Sequence, residues 1–256
     1  MALLEIDHVS QYFGGLLALA DFNLSLEARE LVAVIGPNGA GKTTVFNVVT
    51  GVYRPKEGSV AIDGRHVVGL TPHRITSLGI ARTFQNVRLF KGLSVLDNVR
   101  IAGYGQASYG LMAALFQARR CKREENTIVE KSMELLSLFH IDEYADEPAR
   151  NLPYGLQRRL EIARALATKP RILLLDEPAA GMNPGEVRRL VELIRWVQKA
   201  FDVAILLIEH QMQLVMNLCE RIIVLDFGKT IAEGRPDEIR SNKRVLEAYL
   251  GEDQVT

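Results

Sequence analysis

The fold is decided by the stretch Gly36-Pro37-Asn38-Gly39-Ala40-Gly41-Lys42-Thr43-Thr44, which fits the pattern G-x-x-x-x-G-K-[ST]. A short apolar run at residues 31–35 precedes it, and residues 44–49 are typical of the first turns of a helix. Glycines between a strand and a helix let backbone N–H groups converge on anionic oxygens, and the helix dipole favours negative charge there. Lys42 supplies a cation for the β- and γ-phosphates, and the Thr43 hydroxyl can bind Mg²⁺. The stretch therefore predicts a binding site for a nucleoside triphosphate.

Composition narrows the class of protein further. The chain has 256 residues, enough for one large domain or two small ones, and its 31 basic residues balance its 31 acidic residues. Because nucleic-acid binders usually carry a basic surplus, we expect no nucleic-acid partner. Cys121 and Cys219 lack partners at metal-ligand spacing, so we expect reduced thiols. The N-terminus has no signal-peptide pattern and no apolar run reaches membrane-spanning length, which predicts a soluble, cytoplasmic chain.

Two kinds of strand pattern indicate two sheets. Alternating segments predict a small antiparallel sheet, at residues 4–9, 22–26 and 58–62. Continuous apolar runs predict a parallel sheet covered on both faces, at residues 31–35, 172–175, 203–208 and 221–225. Between about residues 93 and 151 the pattern becomes helical. The sequence thus predicts an α/β fold in which a parallel-sheet core carries an N-terminal antiparallel β subdomain and an inserted α-helical subdomain.

Residues 103–125 differ in composition from their surroundings. A glycine- and tyrosine-rich lead is followed by an apolar patch and then by a run of charges. This pattern favours a solvated loop before a packed helix, and the alternative interpretation is a docking surface for another subunit.

Polar side chains follow several of the apolar runs. Asp176 and Glu177 end the run at 172–175, where carboxylates of a parallel strand lie beside the ligand crevice of an α/β sheet. Asp176 suits a Mg²⁺ position held through water, and Glu177 can polarise the water that attacks a γ-phosphate. His210 ends another run and suits a γ-phosphate contact, although a lone histidine is more often structural. Gln85 can bring an amide to Mg²⁺ or to the attacking water.

A turn at residues 151–153 enters a clear helical pattern, with Leu156, Leu160, Ala163 and Leu166 on one face. The start of this helix offers unpaired N–H groups and the positive end of the dipole, so it predicts a second anion site.

Taken in chain order, the motifs are residues 36–44, Gln85, residues 152–155, Asp176-Glu177, residues 180–183 and His210. In this order they resemble the ATP-binding subunits of ABC transporters over nearly the whole chain. The resemblance implies a P-loop NTPase (RecA-like) core and assigns the motifs as Walker A, Q-loop, signature, Walker B, D-loop and H-loop, respectively.

The resemblance also implies a set of site residues, with ATP and Mg²⁺ as cofactors. Catalytic roles fall on Glu177, His210, Gln85 and Lys42, and the metal positions on Thr43, Gln85 and Asp176. Phe13, a better match than the neighbouring Tyr12, is placed to stack on the adenine. The nucleotide contacts include Gly36, Pro37, Asn38, Gly39, Ala40, Gly41, Lys42, Thr43 and Thr44. Gly155 is expected to act in trans, because two such domains close head to tail around ATP.

Within the family the chain looks most like the LivG-type ATPases of branched-chain amino acid importers, through segments at residues 13–16, 82–90, 161–164 and 232–236. A single domain, 1–256, is then divided into an ATP-binding core with its β subdomain at 1–92 and 159–256, and a helical subdomain with the signature at 93–158. The implied role is hydrolysis of ATP to energise uptake of branched-chain amino acids.

Partners and location follow from the same resemblance. They are integral-membrane permease subunits, contacted near residues 82–96, a second ABC ATPase chain in an ATP-sandwich dimer and, indirectly, a periplasmic or extracellular solute-binding protein. The second ATPase is a LivF-type companion or a copy of this chain. The chain would lie on the cytoplasmic face of the inner (plasma) membrane through its permease.

Two features depart from the family pattern. The usual signature is Leu-Ser-Gly-Gly-Gln, and here Pro153, Tyr154 and Leu156 occupy the serine, first-glycine and glutamine positions. Because Pro153 has neither a hydroxyl nor a backbone N–H, a γ-phosphate would depend more on Gly155 and the helix dipole. Asn183 also replaces the aspartate that is usual in the D-loop.

Other functions remain open at this point. The same ATPase could serve another cargo, such as urea, short amides or an exported lipid, because nothing in this chain touches the cargo. A soluble, non-transport ABC ATPase is a third possibility, although the chain has a single motif set and no heptad tract.

Overall fold

The computed structural model describes residues 2–106 and 119–250. The chain forms two units, one made of Met1–Gln85 with Arg171–Thr256 and the other of Asn86–Pro170. The second unit starts earlier and ends later than the segment 93–158 set from the sequence. Phe90 bonds through its N–H and its C=O to the Asn98 side chain, and the helix at residues 154–166 runs unbroken through residue 158. Through these two features, the residues on either side of the segment 93–158 belong to the helical unit.

The first unit begins with a four-stranded antiparallel sheet in the order β2-β1-β4-β5. Its strands are β1 (Leu4–Phe13), β2 (Leu16–Leu26), β4 (Glu57–Ile62) and β5 (Arg65–His66). In β1 and β2 buried apolar side chains alternate with exposed ones over much of the length, since one face of this sheet packs on the core.

A second sheet carries the core of the same unit. Its six strands run in the order β10-β9-β3-β8-β7-β6, all parallel except for the antiparallel β9–β10 hairpin. The strands are β3 (Leu31–Ile35), β6 (Ile80–Arg82), β7 (Ile172–Asp176), β8 (Ala204–Ile208), β9 (Arg221–Asp226) and β10 (Lys229–Gly234). Every residue of β3, β7 and β8 is buried, as expected for central strands covered on both faces.

Helices complete the first unit. They are α1 (Lys42–Val49), α2 (Pro72–Ser77), α6 (Pro184–Phe201), α7 (Met212–Leu218), α8 (Pro236–Arg240) and α9 (Lys243–Leu250). The longest, α6, begins with a capping box in which the Asn183 side chain accepts from the N–H groups of Gly185 and Glu186, while Glu186 accepts from Asn183 N.

The secondary-structure elements assigned in the described part of the second unit are all helices. It holds α3 (Val95–Gly103), α4 (Arg119–Leu138) and α5 (Tyr154–Leu166), with short 3₁₀ turns between them. Most of the insertion at 103–125 that the sequence singled out lies outside the described residues, which resume at residue 119.

Candidate active site

Four loops that follow parallel strands meet at one edge of the six-stranded sheet. They follow β3, β8, β7 and β6, which are neighbours in that order. Because parallel strands end at the same edge, the residues after them are brought close together although they are far apart in sequence. These loops contain the phosphate loop, His210, Glu177 and Gln85.

The phosphate loop passes from β3 into α1 with Gly41 at the N-cap. Gly41 has a φ of 104°, and a Cβ placed there would lie 2.4 Å from the main-chain oxygen of Ala18. Lys42 is buried, and its Nζ donates to the carbonyl oxygens of Gly36 and Pro37 at 2.7 Å each. The ammonium is therefore held inside the loop, at the start of a helix whose first N–H groups lack intrahelical partners.

An open cavity of about 320 Å³ lies against this loop. Its lining combines the polar groups of Asn38, Thr43 and Glu177 with the apolar side chains of Phe13 and Leu16. Phe13 is 40 % exposed, and its ring meets that of Tyr53 edge-on at 5.0 Å between centroids. Tyr12, the neighbouring candidate, is absent from the described lining of the cavity. The cavity thus has an aromatic wall beside an amide-rich cradle.

Glu177 lies where two of the predicted site residues meet. Gln85 Nε2 donates to its Oε2 at 2.6 Å, and His210 Nδ1 lies 3.6 Å from the same oxygen. The backbone of Glu177 has a φ of 41°, and its N–H donates to the carbonyl of Ile208 on the neighbouring strand. Left-handed backbone costs about 1–2 kcal/mol for a non-glycine residue, so the surrounding hydrogen bonds stabilise a strained position.

Asp176 is engaged by an arginine that the sequence analysis did not assign to the site. Arg82 Nη2 donates to Asp176 Oδ2 at 2.7 Å, and Arg82 Nη1 donates to Asn47 Oδ1 at 2.8 Å. Both charged side chains are almost wholly buried, and the guanidinium lies 5.3 Å and 5.1 Å from the ring centroids of Phe46 and Phe84. Arg82 therefore connects the end of β7 to helix α1, which begins with Lys42.

The residues predicted for Mg²⁺ fit that ion in their chemistry. Thr43 offers a hydroxyl, Gln85 an amide oxygen and Asp176 a carboxylate, all hard oxygen donors of the kind that Mg²⁺ prefers. The contact of Asp176 with Arg82 uses the Oδ2 atom, which leaves Oδ1 for a hydrated cation.

A second residue missed from the sequence is Glu209, the acid between β8 and His210. Its side chain is fully buried. It accepts main-chain hydrogen bonds from Ala179 and from its own two successors, His210 and Gln211. An acid directly after a buried strand was the signal that identified Asp176, and it is present here as well.

The signature helix α5 belongs to the second unit. It begins at Tyr154, with Pro153 as a cap that makes no side-chain hydrogen bond; instead the carbonyl of Pro153 accepts from Leu156 N and Gln157 N. Among the described residues, nothing lies within 4 Å of a Cβ added at Gly155. Inside the helix, Arg158 Nη1 and Glu161 Oε2 form a 2.6 Å pair with both side chains buried. Glu161 also accepts from Arg88 N, which connects α5 to the segment after the Q-loop.

This parallel sheet, its phosphate loop and the acidic strand end define a P-loop nucleoside triphosphatase. A family model described as ABC transporter matches residues 19–180, and one described as branched-chain amino acid ATP-binding cassette transporter matches residues 229–255. The high-affinity branched-chain amino acid transport ATP-binding protein BraF of Pseudomonas aeruginosa is 45% identical over 98% of both chains. LivG of Escherichia coli, described in the same words, has the same identity and coverage.

The structure matches that of a solved ATP-binding cassette of an ABC transporter in its ADP conformation. The TM-score is 0.85 with 31% identity, over 98% of this chain and 99% of the other. The chain belongs to the ABC transporter ATP-binding family and is an ABC ATPase. The fold class predicted from the sequence is confirmed, and so is the family. Across residues 2–106 and 119–250, every helix is too short or too polar to cross a bilayer.

Proposed function

We propose that this chain hydrolyses MgATP to energise the uptake of branched-chain amino acids through a membrane permease. The observation that carries the hydrolytic part is the meeting of Gln85 and His210 at Glu177 Oε2, beside the phosphate loop. The cargo is supported by the names of the 45% identical relatives and by the match of residues 229–255 to a branched-chain amino acid transporter model. Urea, short amides and lipids are the competing cargoes.

In this proposal the chain's own residues divide the work. Lys42 exchanges its contacts with the Gly36 and Pro37 carbonyls for phosphate oxygens, while backbone N–H groups of the phosphate loop bind the rest of the triphosphate tail. Phe13 stacks on the base. Glu177 orients the attacking water and accepts its proton, and His210 contacts the γ-phosphate. Thr43, Gln85 and Asp176 would hold Mg²⁺, which would supply positive charge that offsets the charge building on the phosphate oxygens.

A second ATPase chain completes the site. Glycine near a helix start carries a cost of up to about 1 kcal/mol relative to alanine, and nothing in the described part of this chain crowds Gly155. The close approach that would require glycine there is then supplied by another molecule, the ATP bound to a partner's phosphate loop. That partner is a LivF-type companion or a second copy of this chain.

Partners outside the ATPase pair place the chain in the cell. The permease holds it at the cytoplasmic face of the inner membrane, and a solute-binding protein delivers the cargo from the far side. No nucleic acid takes part. Isolation of the chain from membranes, followed by mass spectrometry of what accompanies it, tests this arrangement. A urea or lipid permease in place of an amino acid permease would contradict the cargo.

Glu177→Gln tests the hydrolytic role. The substitution keeps the shape and the hydrogen-bonding reach of the side chain but removes the base, so ATP binding is retained and turnover falls about 10²–10⁴-fold. Glu30→Gln is the matched control, since Glu30 precedes β3 at the opposite edge of the sheet and pairs with Arg221. Turnover of Glu177→Gln at the level of Glu30→Gln would remove Glu177 from this role.

A further inference from the structure

One buried carboxylate joins the two loops that carry Glu177 and His210. Glu209 is 0 % exposed. Its Oε1 accepts from Ala179 N at 2.8 Å, and its Oε2 accepts from His210 N at 3.0 Å and Gln211 N at 3.2 Å. Ala179 lies two residues after Glu177, so the carboxylate connects the loop after β7 to the loop after β8.

These three bonds account for the burial of a charged group. A buried carboxylate is strongly unfavourable unless its oxygens are hydrogen-bonded, and a hydrogen bond from an N–H group to a charged acceptor is stronger than one to a neutral acceptor. Both oxygens of Glu209 are used in this way. A glutamine could satisfy the donors at one end only, because its NH₂ group would face another N–H at the other end.

Two neutral bonds support the same connection. Glu177 N donates to the carbonyl of Ile208 at 2.8 Å, and Gln211 Nε2 donates to the carbonyl of Ala179 at 3.3 Å. Glu209, Gln211 and these main-chain groups form what we call the inter-loop clasp. At its open end, Glu177 Oε2 and His210 Nδ1 are 3.6 Å apart.

We propose that Glu209 is a positioning residue for ATP hydrolysis, which sets the distance between Glu177 and His210 by fixing both loops to one carboxylate. The proposal rests on the roles given to Glu177 and His210 above. Glu209 does not reach the nucleotide itself, because it is buried and lies outside the described lining of the cavity. A displacement of about 1 Å in a catalytic group can cost about 10²-fold in rate, so loss of one end of the clasp is expected to reduce turnover about 10–100-fold.

The same change is expected to leave ATP affinity within about twofold, because none of the atoms bonded to Glu209 belongs to residues 36–44. A carboxylate needed only for folding would instead lower thermal stability and leave the turnover of the folded protein intact. The division between turnover and affinity therefore distinguishes positioning from a structural role.

The experiment compares full-length wild-type protein with Glu209→Gln, and with Glu30→Gln as the control for loss of a partly buried carboxylate at the far edge of the sheet. Hydrogen exchange is followed at the amides of Ala179, His210 and Gln211. ATP affinity is measured by calorimetry, and turnover is measured with the membrane partners that co-purify. In Glu209→Gln we expect faster exchange at one end of the clasp, affinity within about twofold and the loss of turnover stated above.

Two results would overturn the proposal. One is wild-type turnover in Glu209→Gln while Glu177→Gln is inactive; wild-type turnover in Glu177→Gln would instead defeat the proposed function. The second result is rapid, unprotected hydrogen exchange of all three amides in the wild-type protein. This measurement requires no variant, so it applies even if Glu209→Gln does not fold.

Discussion

Gly41→Ala tests whether the phosphate loop is held by close packing against strand β2. Gly41 has a φ of 104°, and the added Cβ would lie 2.4 Å from Ala18 O and 3.1 Å from Leu19 Cδ2. The carbonyl is main chain within a paired strand, so it cannot rotate away as a side-chain tip could. Either β2 or the loop must move.

The structure gives the size of the effect. Left-handed backbone costs a non-glycine residue about 1–2 kcal/mol. Relief of the contact to even 3.0 Å requires a shift of 0.6 Å (3.0 − 2.4), and overpacking of this kind costs typically about 1–3 kcal/mol more. The sum is about 2–5 kcal/mol, which corresponds to roughly 4–20 °C in Tm at about 2–4 °C per kcal/mol.

Gly64→Ala is the matched control. Gly64 also has a positive φ, 72°, but nothing lies within 4 Å of its added Cβ, and it lies in the β4–β5 turn. It should show the backbone cost alone and normal ATP binding. Tm is measured by circular dichroism and ATP affinity by calorimetry. Gly41→Ala is expected to lower both the Tm and the ATP affinity. Equal Tm losses in the two variants would refute the argument from close approach to Ala18.

Two further predictions concern buried charge and a buried thiol. Arg82→Met leaves Asp176 buried without its cation and is expected to lower the free energy of unfolding in urea by about 3–5 kcal/mol. Arg171→Met, which breaks the exposed pair with Asp63, should change that free energy little. Equal losses in the two variants would contradict the buried-pair argument. Burial raises the pKa of the Cys219 thiol, so at about pH 8 its thiolate fraction is small and alkylation should be slow in the native protein and fast in denaturant. Peptide mass spectrometry measures the rate at Cys219 itself, and rapid native labelling would show that the thiol is accessible.

Local patterns were sufficient to predict the elements that carry the site. Only a few adjacent residues are needed to recognise two of these patterns. They are the run Leu31–Ile35 before a glycine loop and the acids after the run at 172–175. The approximate positions of the central strands, and a helix that starts near Tyr154, follow from the same local signals. Periodicity and strand-end chemistry are short-range properties, so the sequence displays them directly.

Long-range pairing was not available from the sequence. Strand β6 has three residues, Ile80–Arg82, too few for a recognisable alternation, and it exists because it pairs with β7. The partners of Arg82 are 35 and 94 residues away, and a buried arginine looks like a surface arginine when only its neighbours are read. Likewise, the hydrogen bond from Ala179 N to Glu209 forms because β8 lies beside β7, and the sequence alone does not display that pairing.

The hydrolytic and binding roles of the individual site residues stay predictions. The structure places Gln85 and His210 beside Glu177 and places Phe13 on the cavity wall, but the hydrolytic and stacking roles depend on a bound nucleotide. Glu177→Gln, proposed above, tests the hydrolytic role.

The capping box at the start of α6 has a consequence for surface charge. Asn183 Oδ1 accepts from Gly185 N and Glu186 N at 3.0 Å each, and an aspartate oxygen at the same position on the side chain would accept equally well. Exchange of the amide for a carboxylate at residue 183 thus adds one negative charge while the path of the main chain stays fixed. Residue 183 can therefore change the local surface charge without a change in the main chain. ABC ATPases that differ at this position can then differ in the salt dependence of the contacts made by this surface, although they share one fold.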